Sequence, residues 1–189
     1  FAINEFEITA SAGVGGSVSS SLVEASYGDS ITIDIVPDDC YHVDSVFVDN
    51  VYMGAMTSYT FESVTDNHTL RATFAMTEYT VAVLPTPQNG TITPPNMTTV
   101  NCGDSVRYSI VPDEGYHVAE LIVDGVSVEA SETYVFADIH VNHRISARFE
   151  LTEYTVTATA GEGGSVTPAS AVVSYGDSAT IEIAAADCH

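Results

Sequence analysis

Lysine and tryptophan are absent from this 189-residue chain, and its only strong cations are Arg71, Arg107, Arg144 and Arg148, set against 26 acidic residues. With a formal net charge of -22 it has no basic stripe to neutralise phosphates, which argues against nucleic acid as a partner. The missing tryptophan takes away a favoured stacking platform for sugars. No apolar run approaches the roughly 20 residues that a membrane helix needs, so no membrane insertion is expected. Catalytic signatures are also missing. There is no serine elbow, no zinc-protease motif and no cysteine in a recognisable nucleophile context, so the expectation is that the protein is not an enzyme. No secretion signal is visible after Phe1, whose neighbours turn polar and acidic almost at once.

What the chain does contain is itself, more than once. Residues 27–79 return as 102–154 without a gap: Gly28-Asp29-Ser30 as Gly103-Asp104-Ser105, Tyr41-His42-Val43 as Tyr116-His117-Val118, and Asn67-His68 as Asn142-His143. A third copy opens at Tyr154, and its Tyr175-Gly176-Asp177-Ser178 matches Tyr27-Gly28-Asp29-Ser30. The predicted modules are 1–76, 77–151 and an incomplete 152–189. Units of this size bury a modest core each and lean on their neighbours. At 45% apolar residues the chain is too hydrophobic to be disordered.

Within a module the apolar residues alternate. Ile31, Ile33 and Ile35 become Val106, Tyr108 and Ile110, then Ala179, Ile181 and Ile183, with polar residues between them, which is the two-residue period of a half-buried strand. Similar patterns mark strands at Phe6 and Ile8, near Val18, from His117 to Val123, at Tyr134 and Phe136, and at Ile145, Ala147 and Phe149. Asp124-Gly125 between Val123 and Val126 is a two-residue hairpin signal, echoed by Asp49-Asn50. No helical period is sustained, so the expected fold is all-β and mostly antiparallel, a tandem array of small β modules forming a rod. Between Phe74 and Tyr79 the joint holds neither glycine nor proline, and so should be stiff.

Each candidate site also has a plainer role. Gly13, Gly15 and Gly16 superficially suggest a phosphate loop, but a strand follows rather than a helix, so they belong to a hairpin. Cys40 and Cys188 share one position of copies one and three, while copy two has Gly115 there, which excludes a disulfide repeated inside each module. Cys40, Cys102 and Cys188 are then either buried small apolar residues or points where one bridges to another chain. His140 and His143, with Asp138, Cys40-Tyr41-His42 and Cys188-His189, are conceivable metal ligands. Spacing by three on a strand sends side chains to opposite faces, so structural roles are expected and no metal is assigned. The acidic loops Asp38-Asp39 and Asp113-Glu114 could offer oxygens to Ca2+, yet two acids fall short of the about six to eight ligands it takes. Asn67, Asn89 and Asn96 fit the glycosylation pattern. Tyr41, Tyr116 and Tyr52 are candidate ligand contacts.

The pattern Tyr-Thr-Val, Gly-Glu-Gly-Gly-Ser-Val, Tyr-Gly-Asp-Ser, Pro-Asp-Glu-Gly-Tyr, Val-Asp-Gly and Tyr-x-Phe resembles the divergent internalin-type B repeat of bacterial and some archaeal surface and secreted proteins. The resemblance covers nearly the whole chain. It implies compact β units, related to the β-grasp arrangement, that space or display other domains. Copy one departs with Asp39-Cys40 in place of Glu-Gly, and copy two with Cys102 in place of the tyrosine before Gly-Asp. The function it implies is a non-catalytic structural repeat of the cell surface or extracellular space: a stalk, a spacer or a self-assembling fibre subunit. Its partners would be copies of itself or flanking domains. The alternative is an adhesion module for carbohydrate or protein.

Overall fold

The computed structural model describes residues 4–186, and among them there is no helix. Copy one consists of β1 (Glu5–Ala12), β2 (Gly16–Val18), β3 (Leu22–Ser26), β4 (Ile31–Pro37), β5 (Tyr41–Val48), β6 (Val51–Gly54), β7 (Ser58–Phe61) and β8 (His68–Met76). Copy two repeats them as β9 (Glu78–Val83), β10 (Gly90–Thr93), β11 (Met97–Asn101), β12 (Val106–Pro112), β13 (Tyr116–Val123), β14 (Val126–Val128), β15 (Thr133–Phe136) and β16 (His143–Leu151). Copy three contributes β17 (Glu153–Thr157), β18 (Gly164–Thr167), β19 (Ser170–Ser174) and β20 (Glu182–Ala185).

Each complete copy has two sheets. In copy one the order is β3-β1-β8-β5-β6 in the larger and β2-β4-β7 in the smaller, and copy two reproduces it as β11-β9-β16-β13-β14 and β10-β12-β15. In copy one the pairing is antiparallel except between the first and last long strands, where β1 runs parallel to β8, and copy two repeats this with β9 parallel to β16. A bulge recurs too: the register slips between Val43 and Ser45 in copy one and between Val118 and Glu120 in copy two. Both hairpins place two residues at positive φ, Asp49 with Asn50 and Asp124 with Gly125, as the right-handed strand twist demands of a two-residue turn.

The alternation seen in the sequence becomes the core. Ile8, Ala10, Leu70 and Ala72 from the larger sheet of copy one join Ile33, Ile35 and Phe61 from the smaller in one buried cluster. Full burial of such an aliphatic or aromatic side chain contributes about 1.5–3 kcal/mol, against under about 1 kcal/mol for an exposed ion pair, so this layer outweighs any surface contact. Tyr108 takes the place of Ile33 in copy two. Its ring is fully buried and its hydroxyl donates to the Val81 carbonyl at 3.2 Å, which gives the phenol the partner that burial requires. Burial raises the Tyr108 pKa, with the Thr98 hydroxyl opposing. In copy three, β17 pairs with β19 and β18 with β20, and none of residues 152–186 is buried.

Three strands go beyond the sequence reading, and one expected strand starts later than expected. The strands β3, β11 and β19 do not stand out in the sequence. They are short edge strands with few buried residues, and Thr98, Thr99 and Ala25 give almost no alternation to read. The strand expected to begin at Ala179 begins at Glu182. By internal packing the chain divides into two units. One holds residues up to Tyr79 with Val100–Asp104 and Asp138–Val141, and the other holds Thr80–Thr99, Ser105–Ala137 and Asn142 onward.

Candidate functional site

The chemically richest cluster lies in the first of these units. The turn between β4 and β5 carries Cys40 at φ 65, a left-handed conformation uncommon for a residue with a side chain. Cys102 follows directly on β11. Thr77, the single residue between β8 and β9, ties the two: its N–H donates to the Cys40 carbonyl at 2.8 Å, and its carbonyl accepts from the Cys102 N–H at 2.8 Å. Cys40 and Cys102 form a disulfide with a Cα–Cα distance of 5.2 Å across a sequence separation of 62.

This corrects the sequence reading of these two cysteines, which offered burial as small apolar residues or a bridge to another chain. Comparing equivalent positions finds Gly115 opposite Cys40 and rightly excludes a bond repeated within every module. The bond that forms joins different positions of successive copies, a pairing that only the strand arrangement brings within reach. Cys188 and His189 lie outside the described residues.

Beside the disulfide stands His140, in the loop from β15 to β16. Its Nδ1 is 3.2 Å from Cys102 Sγ and 3.9 Å from Cys40 Sγ, while Nε2 donates to Asp138 Oδ1 at 3.0 Å. The loop is held in turn by the Gly103 N–H donating to the Ile139 carbonyl at 2.8 Å and the Ile139 N–H donating to the Asp104 carbonyl at 3.0 Å. Ile139 is fully buried, which anchors the segment. The spacing of His140 and His143 was read as it would fall on a strand; His140 lies in the loop, and His143 stands at the strand end, the first residue of β16.

His143 serves a second, repeated arrangement. Its Nδ1 donates to Asp124 Oδ2 at 2.7 Å, and Asp124 Oδ1 accepts the Arg144 N–H at 2.8 Å. In copy one His68 Nδ1 donates to Asp49 Oδ2 at 2.7 Å, and Asp49 Oδ1 accepts the Thr69 N–H at 2.8 Å. Each aspartate thereby pins the hairpin turn to the start of the last long strand. For both carboxyls burial works to raise the pKa, but the histidine and backbone hydrogen bonds prevail and hold it below the ordinary value. These histidines therefore have structural partners in both copies.

The remaining candidates are dispersed. The Tyr41 ring lies over Gly15, where an added Cβ would come within 2.2 Å of it, so this tyrosine packs on its own module. Tyr116 is half-buried, and Tyr52 is exposed. Gly16 and Gly90 lie under Phe74 and Phe149 in the same way, which explains the glycines of the first turn by close approach of an aromatic ring. Asn67, Asn89 and Asn96 are exposed, although the Asn67 side chain also accepts the Glu7 N–H at 2.8 Å. Asp38 and Asp113 each close a turn by accepting, through the backbone carbonyl, the N–H of Tyr41 and Tyr116. Glu114 accepts the Tyr175 hydroxyl at 2.7 Å.

The model of the divergent InlB B-repeat domain matches three consecutive segments, residues 6–78, 79–153 and 154–188. No curated protein matches the chain.

Proposed function

From a chain that belongs to the divergent InlB B-repeat domain family, we propose a non-catalytic structural repeat protein of the cell surface or extracellular space, acting as a stalk or spacer. The family is typical of surface and secreted proteins. The observation that carries the finer reading is the passage from copy one to copy two. One residue separates the strands, hydrogen bonds lock it on both sides, and a disulfide adds a second covalent path between the copies. Load applied along such a chain is shared by a cross-link that a flexible linker would lack. A disulfide also persists in oxidising, extracellular surroundings. The acidic surface keeps neighbouring molecules apart by charge repulsion.

Negative-stain electron microscopy of material as isolated from its source, with and without reductant, tests this. Separate short particles in both conditions support a spacer. Regular filaments would replace it with a self-assembling subunit.

One observation favours the adhesion reading as second choice. On the larger sheet of copy one, the Arg71 guanidinium sits 4.3 Å from the centre of the Phe47 ring, and Phe47 lies 5.6 Å from exposed Tyr52. Copy two has Ser146, Ile122 and Ser127 at these positions, so the repeat itself does not require the cluster. Binding on a glycan array that disappears in Tyr52→Ala and Arg71→Ala would promote this reading over the spacer.

A further inference from the structure

The geometry points to a site for a borderline-soft divalent metal, of which zinc is the type, formed by Cys40, Cys102 and His140 when their disulfide is reduced. Three observations converge on it. The two sulfurs and His140 Nδ1 all lie within 4.8 Å of one another. A tetrahedral zinc at about 2.3 Å from sulfur and about 2.0–2.1 Å from nitrogen holds those ligands about 3.5 Å apart, and the two Sγ to Nδ1 distances of 3.2 and 3.9 Å bracket that value. The histidine is also set in the tautomer a metal needs. Nε2 keeps its proton and donates it to Asp138 Oδ1 in a hydrogen bond, so the Nδ1 lone pair faces the sulfurs, in the carboxylate–histidine arrangement that orients metal-bound histidines. A disulfide has no hydrogen to offer that lone pair.

The conversion balances with a dithiol as reductant. The dithiol gives two electrons and two protons, the S–S bond breaks into two thiols, and the reductant closes its own disulfide. The metal ion then displaces two protons as both thiolates bind it. Because Thr77 and the Ile139 segment hold the backbone on either side, only the cysteine side chains need to rotate apart. The fourth coordination position is left to water, on the side where His140 is exposed, its side chain retaining 44% of its accessible surface. The oxidised chain thus carries a cross-link and the reduced chain a metal clasp at one place.

The test uses the 189-residue chain with Cys188→Ser, so that only two thiols report. It is reduced with a dithiol, freed of it without air and titrated with cobalt(II). The expected result is one cobalt per chain with thiolate-to-cobalt absorption, displaced by zinc and missing from the oxidised chain. His140→Gln should weaken binding by at least about tenfold, and Asp138→Asn by about tenfold while keeping the same absorption. Thiol alkylation of this Cys188→Ser parent, with and without zinc, gives a readout free of any change at the site: zinc should protect both cysteines. The inference is overturned if the reduced parent shows no thiolate band, if zinc leaves alkylation unchanged, or if folded His140→Gln binds as tightly as the parent.

Discussion

The two places where one copy passes into the next share a backbone and differ in their side chains. At the first, Thr77 donates to Cys40 and accepts from Cys102; at the second, Thr152 donates to Gly115 and accepts from Tyr175, and all four bonds are 2.8 Å long. The side chains then part company. Cys40 and Cys102 are covalently joined, whereas the Tyr175 ring lies across Gly115 so closely that a Cβ there would fall 2.4 Å from it, and the tyrosine hydroxyl reaches Glu114. Gly115 holds φ 82 and Cys40 φ 65, so one backbone conformation accommodates either solution. The joint is therefore a property of the turn and the threonine, and the contact that covers it is interchangeable.

Removing the covalent half of the contrast should have the largest effect. Cys40→Ser with Cys102→Ser frees a loop of 62 residues, and the chain-entropy relation puts the loss near about 4 kcal/mol. Calorimetry of the oxidised parent and the double variant measures it. An unchanged first transition would mean that the disulfide adds nothing to the hydrogen bonds. Grafting the other solution, Cys40→Gly with Cys102→Tyr, sharpens the comparison: if the contacts are interchangeable, the midpoint recovers part of that loss.

Next in size is Gly115→Ala, which forces a methyl into the Tyr175 ring at a positive φ and should cost about 1–3 kcal/mol. Near-UV circular dichroism of the displaced tyrosine would accompany the lower midpoint. Smaller still are the hairpin clasps that both copies share. Asp49→Ala and Asp124→Ala should each cost about 1 kcal/mol or less after solvent screening, and nearly the same amount as each other. Both carboxyls have folded pKa values below the ordinary 3.8, so the unfolded chain binds protons first as acid is added. Their contribution is complete above that value and is lost as pH falls through the lower, folded one. Acid titration of the two variants, flatter than the parent below pH 3.8, checks it.

The smallest effect distinguishes the joints by alkali. The hydrogen bond to Glu114, and then the charge of that carboxylate, raise the Tyr175 pKa above 10.0. The tyrosine therefore supports the second joint fully below 10.0 and loses that support as pH rises through its folded value, while the disulfide of the first joint does not titrate. Tyr175→Phe should lose that small support already at pH 7 and should therefore show no further alkaline loss at the second joint, which thermal midpoints at pH 7 and above 10.0 measure.

Much of the fold could be read before any coordinates. Alternation of Ile31, Ile33 and Ile35 against polar neighbours marked β4, and Asp124-Gly125 marked the β13–β14 hairpin, because strand period and turn conformation are local properties of the chain. Edge strands such as β11 escaped because one wet face and one thin contact leave little alternation to see. The site was less legible. His140 was noticed, but its partners come from residues 40 and 102, and no spacing along the chain connects them.

Repetition, strand content, turn positions and the acidic surface were thus determined by the sequence alone, since each rests on residues near one another or on their sum. The parallel pairing of β1 with β8, the bond from Cys40 to Cys102 and the approach of His140 to both sulfurs were decided only by the tertiary structure. They depend on which distant strands lie side by side, and that is settled by burying two apolar faces together rather than by any local preference.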